Sequence, residues 1–118
     1  QQGSINTNNI TNNGQGIITA NSVNGRAGNV TLNAPNGNIT AGNIRADGVT
    51  GSGNINLTSG GEIDTSAGTL NSSSQNGNAG AIALNASGNI ITGAINTSSG
   101  GSGTGGNITL TSSSASVI

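Results

Sequence analysis

The stretch GNVTL at Gly28 to Leu32 returns as GNINL at Gly53 to Leu57, GAIAL at Gly80 to Leu84 and GNITL at Gly106 to Leu110. The starts are 25, 27 and 26 residues apart, and GSINT at Gly3 to Thr7 extends the series one step back, 25 residues before Gly28. Self-similarity at such a period marks a repeat protein, in which each unit buries its apolar face only against its neighbours. Function is then to be sought on the surface of a stack.

Within the unit Gly28 to Ser52, Val30 and Leu32 are two residues apart and point to one face of a strand, while Asn29, Thr31 and Asn33 point to the other. Asn36 and Gly37 supply a turn. Ile39 begins a second strand, Ala41-Gly42 allows a bend, and Ile44 with Ala46 forms a third inward pair before Gly48 to Gly53 leads back to the start. Neighbouring units repeat the order as Ile55, Leu57, Ile63, Leu70 and as Ile82, Leu84, Ile90, Ile95; in the first unit the inward set is Ile5, Ile10, Ile17 and Val23.

Three short strands per 25 to 27 residues, separated by Gly, Asn or Ser, describe one coil of a parallel beta-helix, an all-β solenoid. The expected domain is single, residues 1–118, with four to five coils at about 3–27, 28–52, 53–79, 80–105 and a partial 106–118. Gly, Asn, Thr and Ser are weak helix formers and no apolar period of 3.6 is sustained. A meander of hairpins closed by Asn-Gly turns ranks lower, because hairpins need no long repeat of matching phrases. Asn29, Asn54 and Asn107 recur just after the repeat-starting glycine, which predicts an axial ladder of side-chain amides, each donating to the next.

Composition bounds the chemistry. The chain has 118 residues with no His, Cys, Met, Phe, Tyr or Trp, and only Arg26, Arg45, Asp47, Glu62 and Asp64 are charged, for a formal net charge of −1. A polar chain without bulky residues usually reads as disordered, but Val30, Ile55, Ile82 and Ile108, each followed two residues later by Leu, hold one frame that disorder would not keep. With no basic stripe, nucleic acid and anionic membrane surfaces are poor partners. No apolar run reaches the ~20 residues of a membrane span, and no signal peptide opens the sequence, so either a targeting segment has been removed or the chain is part of a longer protein.

The phrases GNITL, GNIITGAINTSS at Gly88 to Ser99 and LTSGGEIDTS at Leu57 to Ser66 resemble the beta-helical shafts of filamentous-haemagglutinin-like exoproteins, bacterial surface adhesins exported by two-partner secretion. The resemblance covers essentially the whole chain. It implies a secreted, right-handed parallel beta-helix at the bacterial cell surface, an adhesive or structural role and no enzymatic activity. Pro35-Asn36-Gly37 is similar to part of that family's NPNG turn, but Ala34 stands where the motif has Asn, and the segment is taken as an ordinary turn.

Glu62 and Asp64 share a strand face as paired carboxylates of a hydrolase or a calcium site do, but two outward charges that limit self-adhesion are the stronger reading. Arg45 and Asp47 are spaced for an exposed ion pair of small worth. Gly100 to Thr104 ends in Thr where a calcium-binding GGxGxD repeat needs Asp. Asn-x-Ser/Thr triplets at Asn9, Asn29, Asn38, Asn85 and Asn107 follow from composition and from the coil phrase itself. No catalytic, cofactor or metal site is therefore assigned.

The resulting expectation is an extracellular structural protein that forms or extends a surface fibre, with copies of itself stacked head to tail as partner and an adhesive or matrix role. The alternative is a module that binds glycans or ice through a flat Asn/Thr/Ser-rich face; Thr31 and Thr109 occupy one equivalent position, but Asn56 and Ala83 interrupt the row.

Overall fold

The computed structural model describes residues 2–6, 10–11 and 17–118, with side chains from Ile18 onward. Coil one contributes β1 (Gln2–Asn6), β2 (Ile10–Thr11) and β3 (Ile17–Thr19); coil two β4 (Asn29–Ala34), β5 (Ile39–Thr40) and β6 (Asn43–Arg45). Coil three contributes β7 (Ile55–Ser59), β8 (Ile63–Thr65) and β9 (Leu70–Asn71); coil four β10 (Ile82–Ala86), β11 (Ile90–Thr92) and β12 (Ile95–Asn96); coil five opens with β13 (Ile108–Ser112). Every third strand pairs in parallel, giving one five-stranded sheet, β1-β4-β7-β10-β13, and two four-stranded sheets, β2-β5-β8-β11 and β3-β6-β9-β12. The protein is a β-solenoid, as the repeat predicts.

The reason lies in a triplet that opens the strands: glycine, a polar residue or alanine, then an aliphatic. In coil two it is Gly28-Asn29-Val30, Gly37-Asn38-Ile39 and Gly42-Asn43-Ile44; coil three has Gly53-Asn54-Ile55, Gly61-Glu62-Ile63 and Gly68-Thr69-Leu70. The aliphatics stack in register, Val30 on Ile55 on Ile82, Ile39 on Ile63 on Ile90, and Ile44 on Leu70 on Ile95. Those of coil three, with Leu57, are fully buried, so each central layer removes four branched side chains from water, about 1.5–3 kcal/mol apiece. The glycines permit the coils to approach. A Cβ on Gly53 would overlap the Gly28 carbonyl oxygen, and one on Gly80 the Gly53 carbonyl oxygen, so no other residue fits this column without separating the coils.

The middle residue of the triplet behaves differently from the predicted amide ladder. Asn29 Oδ1 accepts the backbone N–H of Asn54 at 2.8 Å, and Asn54 Oδ1 accepts that of Ala81 at 2.8 Å. Asn38 serves Glu62 N at 2.7 Å, Asn43 serves Thr69 N at 2.8 Å and Asn89 serves Ser116 N at 3.2 Å. Each amide oxygen thus bonds the backbone of the equivalent position one coil on. The backbone ladder uses the carbonyl of that same residue, as in Val30 N–H to Asn54 O at 2.8 Å, so each such corner is tied to the preceding coil twice. Alanine at position 81 interrupts the column, whereas an amide-to-amide ladder would have needed Asn in every coil.

Three further expectations are corrected. The phrase GSINT aligns with GNVTL at a spacing of 25, but the strands pair Gly3 with Val30 and Ile5 with Leu32, a spacing of 27. A slip of two leaves the inward face unchanged because side chains alternate with period two. Ile17 pairs with Asn43 and Ile18 with Ile44, so Ile18 holds the inward column. Val23, placed inside from the sequence, is 84% exposed on a loop between β3 and β4. The side chains of Ile5, Ile10 and Ile17 lie outside the described residues.

Small polar residues close the buried corners. Ser72, fully buried, donates to Gly53 O at 2.6 Å, while Ser52 Oγ bonds Ser72 O at 2.9 Å. Ser59 Oγ donates to Gly37 O at 2.6 Å and accepts from Gly61 N at 3.0 Å. Ser52 and Ser72 satisfy backbone groups at the bend, while Ser59 adds a second bond to Gly37 O and Gly61 N, which also bond each other at 2.9 Å. Thr65 is fully buried and its Oγ1 has no partner.

Candidate functional site

Two surfaces are candidates for recognition. The first is the outer face of the five-stranded sheet. Strand register brings Thr31, Asn56, Ala83 and Thr109 into one column and Asn33, Thr58, Asn85 and Thr111 into a second. Neighbouring columns stand two residues apart on strands ~4.8 Å apart. All five charges of the chain lie elsewhere. The first column has the interruptions read from the sequence; the second alternates amide and hydroxyl without a gap in these four coils.

The second surface is a shallow groove on the third sheet. Its outer residues stack as Thr19, Arg45, Asn71 and Asn96. Asp47 lies two residues beyond Arg45 and forms the densest polar network of the described residues. Its Oδ2 accepts Arg45 Nε at 2.9 Å, Arg45 Nη2 at 2.8 Å and Asn71 Nδ2 at 2.9 Å. Its Oδ1 accepts Ser73 N at 2.9 Å and Ser73 Oγ at 3.1 Å, and its own N–H donates to Asn21 Oδ1 at 2.8 Å. Asp47 therefore occupies the corner position of an Asn, one coil after Asn21, and adds an ion pair. The sequence reading of a lone exposed pair missed this, because Asn71 and Ser73 come from the next coil. A concavity of about 480 Å³ opens beside it, with Val23, Arg45, Val49, Gln75 and Ser98 among its lining residues. A second of about 250 Å³ is lined by Arg45 with Asn43, Thr69 and Asn71.

Glu62 and Asp64 make no comparable site. Asp64 Oδ1 accepts Ser66 N at 2.9 Å and Ser66 Oγ at 2.6 Å, closing the turn after β8. That carboxylate is engaged by its own chain rather than shared with Glu62. Among the described residues there is no group of three or more His, Cys, Asp or Glu. Pro35-Asn36-Gly37 is a turn closed by Gly37 N–H to Ala34 O at 3.2 Å. Gly101, in the segment compared with a calcium repeat, has φ 58°, the left-handed region that glycine enters without strain. Asn29 and Asn38 of the Asn-x-Thr triplets serve the inter-coil bonds, Asn85 stands in the second outer column, and Asn9 lies outside the described residues.

Coil five continues the core columns. Ile108 stacks on Ile82 and Val117 bridges to Ile90, both partners fully buried. Ile108 is 46% exposed, Val117 46% and Ile118 68%. Ile108 and Val117 continue the columns of Ile82 and Ile90, whereas Ile118, next to Val117, falls opposite Ile91 on the other face of the strand.

No protein-family model, curated protein or solved structure matches this chain.

Proposed function

We propose that this chain is a non-catalytic structural segment of an extracellular fibre at a bacterial surface, extended by stacking of coils and used for adhesion or matrix cohesion. The observation that carries the reading is the in-register stacking of like coils, Val30 on Ile55 on Ile82 and Ile39 on Ile63 on Ile90. A further coil of the same phrase extends these columns, supplying both strand pairing and apolar contact. In the proposed fibre, copies stacked head to tail supply such coils. The resemblance of LTSGGEIDTS and GNIITGAINTSS to haemagglutinin-like shafts supports the surface location and the adhesive use. Electron microscopy and fibre diffraction of the purified chain over a concentration series test the proposal. Long fibres with a meridional spacing of ~4.8 Å support it; a monodisperse monomer at every concentration overturns it.

A second reading, binding of glycans or ice by the flat sheet, is favoured by one observation, the two uncharged columns headed by Thr31 and Asn33. Thermal hysteresis and ice-recrystallisation assays on the chain and on Thr58→Lys test the ice branch. Activity in the parent that the lysine abolishes supports that branch, and inactivity of the parent removes it.

A further inference from the structure

We infer that the groove beside Asp47 is a binding site for a neutral saccharide. The inference rests on the adhesive part of the proposed function and assigns it to particular residues. Three observations converge.

First, the groove has the size and mixed lining of a small-ligand site. Its volume of about 480 Å³ falls within the usual range for such sites. Val23, 84% exposed, and the half-buried Val49 supply apolar surface for the C–H face of a sugar ring. Around them stand Arg45, Gln75 and Ser98.

Second, the key donor is held in place before any ligand arrives. Arg45 is fixed through Nε and Nη2 to Asp47, and Asp47 is fixed by Asn71 and Ser73 from the next coil. The remaining nitrogen, Nη1, makes no hydrogen bond to the described residues, and the side chain is 46% exposed. A guanidinium already ordered by its neighbours loses little further freedom on binding.

Third, the charge balance selects the ligand. Asp47 cancels the charge of Arg45, and the other polar lining groups, including Asn21, Ser73, Gln75 and Ser98, are uncharged. A phosphate, sulfate or carboxylate gains no net attraction here. A hydroxyl-rich neutral ligand matches donors and acceptors without desolvating an unpaired charge. Lacking an aromatic platform, the site binds weakly, with Kd in the millimolar range.

The test is a heteronuclear NMR titration of the intact chain with neutral oligomers of glucose, galactose and mannose, using oligogalacturonate as the anionic control. Saturable shifts with at least one neutral oligomer, confined to amides 21–23, 45–49 and 73–75, are expected. Val23→Asp and Gln75→Ala, both at exposed positions, should each weaken binding about fivefold or more with the remaining spectrum unchanged. Absence of saturable shifts with every neutral oligomer, equal binding of the anionic control, or shifts that ignore both substitutions overturns the inference. Fibre formation is read on the same samples. Fibres without saccharide shifts remove this site and leave the fibre reading, while saccharide shifts without fibres do the reverse.

Discussion

Asn54 stands between two coils, its N–H donated to Asn29 Oδ1 and its own Oδ1 accepting from Ala81 N, both at 2.8 Å. Stability therefore depends on which face of the coil an asparagine occupies. Asn54→Ala leaves Ala81 N without its partner and should destabilise the fold by about 0.5–1.5 kcal/mol, the net value of one such bond. Asn85→Ala, at an exposed position in the outer column, should change stability by less than about 0.5 kcal/mol. Urea denaturation of the two variants checks the contrast, and equal effects would contradict the assigned bonding.

The glycine columns predict a sharper difference. Gly80→Ala would drive its Cβ into the Gly53 carbonyl oxygen, whereas at Gly25 the nearest atom to an added Cβ is Ser22 Oγ at 3.7 Å, an ordinary contact. The first substitution should cost about 1–3 kcal/mol or more by forcing the coils apart. The second should stabilise by about 0.4–1 kcal/mol by restricting the unfolded chain. Thermal melts that rank the two variants the other way would refute the close approach of the coils.

Much of this architecture is legible in the sequence because one physical requirement repeats. Ile55, Leu57, Ile63 and Leu70 must face inward in every layer, and their spacing announces the coil. Register in the first coil is less legible: Gly3 aligns with Gly28 by phrase, but Gly3 pairs with Val30, and a shift of two residues keeps the same face of the strand inward. Val23 misleads because an apolar residue is read as core, while its loop carries it outward to form one wall of the groove. The Asp47 network is hidden for a different reason. Asn21, Asp47 and Ser73 are 26 residues apart in turn, so their contacts emerge only once the axial register is fixed. Triplets such as Gly61-Glu62-Ile63, recurring at the corners, were the available signal for that register.

Thr65 offers a prediction in the opposite direction. Its Oγ1 is buried without a hydrogen-bond partner among the described residues, in the coil that also buries Ile63 and Leu70. An unpaired buried hydroxyl costs about 1–3 kcal/mol relative to its hydration in the unfolded chain. Thr65→Val keeps the shape and removes the polar atom, so it should stabilise by about 1 kcal/mol. Loss of stability in a calorimetric comparison would mean that the hydroxyl has a partner.

The pair Arg45 and Asp47 separates ion pairing from backbone satisfaction. Arg45 is 46% exposed and Asp47 18% exposed, and an ion pair with one arm in solvent contributes at most about 1 kcal/mol. Asp47 also accepts from Ser73 N and Asn71 Nδ2 of the next coil. Removing the carboxylate strands those donors; removing the guanidinium strands none of them. Asp47→Ala should therefore cost about 1–3 kcal/mol and Arg45→Ala less than about 1 kcal/mol. Raising the salt concentration should shrink the smaller effect and leave most of the larger one, since screening weakens an exposed ion pair more than a hydrogen bond to a backbone amide. Guanidinium is itself a salt, so urea melts at low and high sodium chloride are the proper measurement. Equal, salt-sensitive losses in both variants would show that the ion pair, rather than the inter-coil hydrogen bonding of Asp47, holds this corner.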